Sequence, residues 1–429
     1  MPQGTNAQYI AYQYEKLLPR IEELMQGDTT LFEKIEKRNV ESQSSRAMRI
    51  PLDVYSGTAP SQVNPDGGDF GRGKAIVSIF AQLSPVFFSA ATEFTKYAEI
   101  ATDSKEKAVD SAAKRNLEKM TQRFKVFLES LLNSDSTGSG TIDTVSTTPT
   151  AGATSIVVGN ANQFQDQMNF NIFPSLGAAP RAGYNSDGTV TVLSNDATTS
   201  TQTVYLTGPV PVGTTSGDLC IIAGAPGVAS TSLLSLQYHQ NNPGNIGTWL
   251  NLARSAYPGR LITPYVNMNN FAINPAAIQR GKNSMKSALG IDNPNVKEFL
   301  IHMNTDQDAA WQNLSLTPQI VVANQLKGGS AVDMLQKDSA ETVGGMEKLV
   351  SIHAKRGRID GLVLKHWGRG EIKPIGPLDF GGQTLWPIYG ASGGLSAATI
   401  TYIWGGFNFF VDNPRAGVYW PSCGIPASY

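Results

Sequence analysis

The run DSKEKAVDSAAKRNLEKMTQRFKVFLESLLN, residues 103–133, decides how the rest of the chain is read. Asp103 is a good helix N-cap, and Glu106 stands three residues later in capping-box position. Val109, Ala113, Leu117, Met120, Phe124, Phe127, Leu128 and Leu131 then recur at steps of three or four, which keeps one apolar stripe on one face. Lys107, Lys114, Arg115, Glu118, Lys119, Arg123, Lys125 and Glu129 occupy the other faces. No glycine or proline interrupts the run, and it stops before Ser134-Asp135-Ser136-Thr137-Gly138. At 1.5 Å per residue the spacing predicts a rod of roughly 45 Å. A rod with a single apolar stripe needs something long to lie on.

Upstream of the rod, Val86 to Ile100 reads as a β-branched and aromatic connection leading straight into it. Before that, Arg46 to Leu52 reads as a strand, a turn-rich loop follows through Gly67-Gly68 and Gly71-Arg72-Gly73, and Ala75 to Phe80 reads as the return strand. A two-stranded hairpin is marginal in water by itself, so one this long is expected to project and to find its partner on another molecule. Residues 6–38 read as helix with a restart at Pro19 and a break at Gly27-Asp28, after which Leu31, Phe32 and Ile35 begin a second short helix. Such a segment has too little apolar surface to fold alone and is read as an arm.

Downstream, the composition changes abruptly. Residues 141–230 are rich in threonine, serine and glycine, with short alternating runs such as 154–158, 168–173, 188–192 and 219–222. These predict a small antiparallel sandwich or barrel inserted as a unit, exposed and dispensable for the main core. In the last 200 residues, Asn274-Pro275 opens a helix that closes at Gly290, and Phe299 to Met303 is a strand. Thr305 with Asp308 is read as capping a helix through Ala309, Trp311 and Leu314. Further strands are expected at 359–364, 384–389, 397–404 and 407–411, giving an α+β body.

The chain has 429 residues, of which 41% are hydrophobic and 16% charged, with a formal net charge of −1. It is therefore not a polycation built for nucleic acid. The charge is uneven: residues 126–230 carry one basic group, Arg181, against seven acidic ones. Cys220 and Cys423, the only cysteines, have no CxxC partner, which argues against a disulfide framework or a zinc site. The N-terminus lacks the order of a signal peptide, and no apolar run approaches the eighteen residues of a membrane span. The protein is expected to stay soluble in a reducing compartment or to be carried onward by assembly.

No string amounts to an active site. Gly68 to Lys74 nearly spells a phosphate-binding loop, but Ala75 replaces the required Ser or Thr and a strand follows instead of a helix. His239, His302, His353 and His366 show no metal-ligand spacing, and His302, in an apolar strand, reads as a core or interface histidine. Asp306 and Asp308 resemble a metal pair, although helix capping explains them without a metal. Lys355, Arg356, Arg358, Lys365, Arg369 and Lys373 fall within nineteen residues, with Trp367 among them. A nucleic-acid patch there would act through counterion release, without sequence preference. An inter-subunit salt-bridge face or a solvated surface is the preferred reading.

Arm, projecting hairpin with a Gly-rich tip, long helix, then mixed body: this order resembles the tailed-bacteriophage major capsid protein, the Hong Kong 97-like fold. The resemblance is carried by Arg46 to Leu52 with Gly67 to Lys74, by Asp103 to Asn133, by Asn274 to Met303, and by the closing strands with Asn413-Pro414-Arg415. It covers most of the chain except about 141–230. It implies an N-terminal arm (1–45), an extended β-hairpin loop and following strand (46–100), a spine helix (101–135), an inserted all-β domain (141–230) and an α+β body (231–429).

The resemblance also implies a structural rather than enzymatic protein without cofactor, forming hexamers and pentamers of an icosahedral shell around double-stranded DNA. The extended loop would lie across a neighbour, placing Arg46, Arg49, Arg72 and Lys74 at intersubunit contacts, and Lys355, Arg356, Arg358 and Arg369 would offer a basic contact face. Expected partners are packaged DNA, bound non-specifically, a portal, a separate scaffold and cement proteins, with no membrane; the site of action would be the virion, assembled in host cytoplasm. Some relatives crosslink a lysine to an asparagine, but no acceptor for Lys74 is identified and no bond is expected. Two other readings stay open: an encapsulin-like compartment shell, and a phage tail or adhesion protein using the β insert as a binding module.

Overall fold

In the computed structural model the described residues are 30–38, 41–44, 47–55, 57, 73–95, 112–134, 137–182, 188–198, 201–241, 247–290, 299–313, 342–343, 345–379, 385–389 and 395–425. They divide into two compact units: Glu33–Pro85 with Ser130–Gly370 and Asn408–Tyr429, and Met1–Phe32 with Val86–Glu129 and Glu371–Phe407.

The larger unit contains three sheets that matter for function. Strands β2 (Glu41–Ser44), β3 (Ala47–Tyr55) and β4 (Val77–Leu83) form an antiparallel sheet in that order. Both hairpin strands run farther toward the tip or the body than the sequence reading, which ended them at Leu52 and Phe80. β1 (Lys37–Arg38) pairs with Arg369 and Gly370, so the helical reading of 6–38 fails at its end; helix α1 is Thr30–Lys34. Most of the expected arm helix, Arg46, the hairpin tip with Arg72, and Asp103 lie outside the described residues.

A closed barrel is built from β6 (Thr141–Thr147), β7 (Ser155–Val158), β8 (Asn169–Phe173), β9 (Thr189–Asp196), β10 (Thr203–Leu206) and β11 (Leu219–Ile222), in the order β10-β7-β6-β11-β8-β9. The alternation that marks these runs puts Ile156, Val158, Val190, Val192, Val204 and Leu206 inside, each at most 3% exposed, while the intervening residues face out. Closure leaves no free strand edge.

The body sheet has the order β15 (Thr342–Val343), β16 (Met346–Val350), β14 (Phe299–Met303), β17 (Ile359–Val363), β21 (Gly417–Trp420). β14, buried at every residue, is its centre, parallel to β16 and antiparallel to β17. Helix α3, Pro275–Leu289, packs on it; Asn274 Oδ1 accepts the Ala277 N–H at 2.8 Å, and Gly290 ends the helix in the left-handed conformation. A Cβ at Gly281 would sit 2.2 Å from the Trp420 ring, and that missing carbon is what lets the helix seat so closely. Trp420 Nε1 donates to Ala277 O at 3.0 Å across the same contact. The helix at 305–313, α4, is capped by Asn304, whose Oδ1 accepts from Asp306 N and from Thr305 Oγ1, each at 3.2 Å. Thr305 is therefore inside the helix rather than its cap, and Asp308 reaches out to Lys348 instead.

In the smaller unit, β5 (Val86–Thr95) pairs antiparallel with β20 (Leu395–Val411) from Val86↔Phe407 to Thr95↔Ala398. What reads in sequence as a connection is thus a ten-residue strand, and the two strands expected at 397–404 and 407–411 are one, because Gly405 and Gly406 continue the ladder. β19 (Leu385–Tyr389) and β18 (Trp367–Pro377) complete the sheet. Phe88 packs its ring on Phe127 of helix α2 (Ala112–Leu132) and on Phe407.

Helix α2 carries the expected stripe at Met120, Phe124, Leu128 and Leu131, all buried, each side chain contributing on the order of 1.5–3 kcal/mol. Leu117, exposed, and Phe127, half-buried, depart from it, and Val109 lies outside the described residues. Glu129, assigned by spacing to a polar face, is fully buried. Its carboxylate accepts from Leu31 N at 3.2 Å and Phe32 N at 2.6 Å, capping the start of α1 and tying it to the long helix. Spacing could not show this, since the partner lies about a hundred residues upstream.

Candidate assembly surfaces

The hairpin of β3 and β4 is amphipathic in an unequal way. Met48, Ile50, Val54, Ala81 and Leu83 are buried, whereas Tyr55, Ile76, Val77 and Phe80 are exposed, Ile76 at 64% and Phe80 at 54%. Pro51 stands opposite Phe80. Phe80 turns its carbonyl away from β3, toward Asn251 Nδ2, so this is a pair without mutual backbone hydrogen bonds and proline's missing N–H costs the ladder nothing. Arg49 lays its guanidinium 5.6 Å from the centre of the Phe80 ring. Lys74 is described and exposed; Arg46 and Arg72 fall outside the described residues.

The basic run separates into individual pairs. Arg356 Nε donates to Asp306 at 2.6 Å, Arg358 to Asp360 at 2.8 Å, and Arg358 also lies 4.4 Å from the Tyr419 ring centre and donates to Gln240 O. Arg369 is half-buried in β18, its backbone N–H donating to Glu36 O at 3.0 Å. Of the four residues in the expected basic face, Lys355 alone is exposed. The pair read as a possible metal site, Asp306 and Asp308, takes Arg356 and Lys348, and among the described residues no cluster of three or more metal-ligating side chains occurs.

The barrel meets the body through polar groups. Asn160 Nδ2 donates to Ile352 O at 2.9 Å and Ala354 O at 3.0 Å, Gln163 Nε2 donates to His353 O at 3.1 Å, and the His353 ring meets Asn162 O at 2.9 Å. A cavity of about 260 Å³ lies at this junction, with Asp143, Asn160, Gln163, Lys355 and Arg356 in its wall. Burial pushes the Asp143 carboxyl above its ordinary range, against the pull of Lys355 and of the Thr144, Asn160 and Gly159 N–H groups. A Cβ on Gly159 would come within 2.9 Å of Asp143 Oδ2, so glycine makes room for that carboxylate. At the opposite extreme of the barrel's charge, its lone Arg181 clamps Asp218 through Nε at 2.5 Å and Nη2 at 3.0 Å.

Two histidines are core groups. His239 Nδ1 accepts from Trp249 Nε1 and its Nε2 faces Phe409 O, both at 3.1 Å; burial pushes its pKa down to about 3. His302 Nε2 lies 2.6 Å from Asn133 Oδ1, and burial lowers its pKa to about 4. Both are neutral at pH 7 and neither is presented to solvent. Cys220 and Cys423 are free and buried, and burial raises both thiols. No described helix is long and apolar enough to cross a membrane.

Against known proteins, no family model and no curated protein matches the chain. Solved structures do. The chain is similar to a subunit of the cyanophage A-1(L) capsid asymmetric unit, with 13% identity and a TM-score of 0.54, over 98% of this chain and 99% of that one. It also aligns with a capsid of a native GTA particle (9% identity, TM-score 0.46, 96% and 98% covered) and with the capsid of Myoviridae phage XM1 (8%, 0.45, 95% and 96%). The likeness to the cyanophage subunit spans both chains nearly end to end and is one of fold: this is an α+β chain with the Hong Kong 97-like fold of phage capsid subunits.

Proposed function

We propose that the chain is the major structural subunit of a phage capsid, assembling into hexamers and pentamers of an icosahedral shell around double-stranded DNA. The observation that carries this reading is the end-to-end likeness to the cyanophage capsid subunit. The exposed apolar residues of the hairpin agree with it: Tyr55, Ile76, Val77 and Phe80 are exposed in the single chain, and a neighbour in a closed lattice gives them cover. Arg49 and Lys74 accompany them at that contact, with Arg46 and Arg72 assigned to the same loop.

On this reading residues 1–45 are the arm, 46–100 the extended loop with its following strand, 101–135 the spine, 141–230 an inserted domain and 231–429 the body. The shell's other partners are a portal, a separate scaffold and cement proteins, and it is built in host cytoplasm. Packaged DNA is held without sequence preference, and the near-neutral net charge suits contents that must later leave. Negative-stain microscopy of the expressed chain tests the proposal: closed shells of uniform size are expected, and monomers or trimers by light scattering overturn it. Deleting residues 60–71 is expected to leave a soluble subunit that fails to form stable shells.

A further inference from the structure

The edge of β4 that faces away from β3 is gripped by one side chain. Asn251 Oδ1 accepts the Gln82 N–H at 2.7 Å, and its Nδ2 donates to Phe80 O at 3.2 Å. A carboxamide thus supplies the donor and acceptor that a neighbouring strand would. Two further contacts reach the other strand: Arg260 Nε donates to Val54 O at 3.1 Å, and the Tyr257 and Tyr55 rings lie 6.4 Å apart.

The segment that carries these groups is built to hold Asn251 in place. Strands β12 (Thr248–Trp249) and β13 (Leu252–Ala253) are joined by a tight turn at Leu250–Asn251, and Leu250 has φ of +54°, a left-handed conformation that a branched side chain rarely adopts. The Tyr238 hydroxyl accepts the Leu250 N–H at 2.7 Å and helps to hold it there. Beneath the turn, Trp249 is fully buried on His239. Arg254, also fully buried, ties the segment at both ends by donating to Tyr238 O at 2.7 Å, Asn241 O at 3.2 Å and Leu261 O at 2.5 Å. The root is buried, while both Asn251 bonds to β4 are exposed to water.

We infer that residues 248–261 are a bracket that sets the direction in which the β3–β4 hairpin leaves the body, with Asn251 as its positioning residue. Its exposed bonds can be broken while Trp249 and Arg254 stay seated, which makes the bracket a hinge. Its consequence for assembly rests on the capsid-subunit reading.

Hydrogen exchange by mass spectrometry on the full chain tests this with Asn251→Ala and Asn251→Asp. Asn251→Ala is expected to raise exchange across β3 and β4 about three- to tenfold. Tm and the exchange of β14, β17 and β21 should not change. Asn251→Asp keeps the acceptor for Gln82 and loses the donor to Phe80, and should fall between. Unchanged exchange in β3 and β4, or an equal rise throughout the body, overturns the bracket. Arg260→Met gives an independent check, with the same rise expected and the same null result counting against it. The exchange measurement does not depend on shells, so wild-type chain that forms none sinks the capsid reading and leaves the bracket standing. If wild type forms shells and Asn251→Ala forms them with the same yield and size, the bracket's role in assembly is overturned.

Discussion

Asn160 in the barrel and Asn304 at the start of α4 donate their side-chain amides to the same two carbonyls, Ile352 O and Ala354 O, at distances between 2.8 and 3.3 Å. One loop of the body is therefore held from both sides, and each carbonyl has both lone pairs occupied. Removing one asparagine leaves each carbonyl still satisfied by the other. Removing both orphans two acceptors, Ala354 O buried and Ile352 O part-buried.

The expected outcome is a cycle that does not add. Asn160→Ala and Asn304→Ala each cost about 1 kcal/mol, and the double variant costs more than the sum by about 1–2 kcal/mol, since a buried polar group left unmade is penalised beyond the bond it lost. Urea unfolding of the four proteins measures this, and simple additivity would show that water replaces the missing donors.

Gly281 gives a sharper test of packing. Its missing Cβ is the space into which the Trp420 ring projects, at 2.2 Å from where that carbon would be. Gly281→Ala should lower stability by roughly 1–3 kcal/mol despite alanine's better helix propensity, because the ring and its bond to Ala277 O must shift. Trp420→Phe in the alanine background should recover part of the loss. A stabilised Gly281→Ala protein would mean the helix can slide on the sheet freely.

The buried histidines fix a pH dependence. Their folded pKa values, about 3 for His239 and about 4 for His302, lie below the ordinary 6.5. Between pH 6.5 and these values the unfolded chain binds protons that the folded chain refuses, so stability rises with pH across that window and is complete above 6.5. Falling pH should therefore cost several kcal/mol before most carboxylates titrate. His302→Gln should flatten the slope between pH 6.5 and 4 in thermal melts; an unchanged slope would assign it elsewhere.

Periodic elements were legible because their signal is local. The stripe at Met120, Phe124, Leu128 and Leu131, the Asn274-Pro275 start of α3 and the alternating runs of the barrel each show in a dozen residues or fewer. Glu129 and the unbroken β20 escape such a reading for the opposite reason. Glu129 looks solvated until Leu31 and Phe32 come to it from far upstream, and Gly405-Gly406 looks like a break until Phe87 and Ile375 fill the space that their side chains would take. The basic run at 355–373 shows the same limit: six charges close in sequence say nothing about Asp306, which Arg356 meets from fifty positions away.

Excising the barrel tests whether it is a separable unit. Its two ends are already joined: Ser230 N donates to Thr137 O at 2.9 Å, and Thr231 N and Ser232 N both donate to Gly138 O, at 3.0 and 2.9 Å. A cut at residues 145 and 228 would strand β6 without its neighbours, whereas replacing 139–229 by a short glycine linker bridges atoms already in contact. Loop closure of that kind costs little. The trimmed chain should fold and lose about 1–3 kcal/mol, chiefly because Asn160 and Gln163 no longer hold the 352–354 loop. Circular dichroism and microscopy read the result. A trimmed chain that folds and forms shells would mark the barrel as an addition to the lattice, and one that fails to fold would mean the body needs the barrel's hydrogen bonds to close its own core.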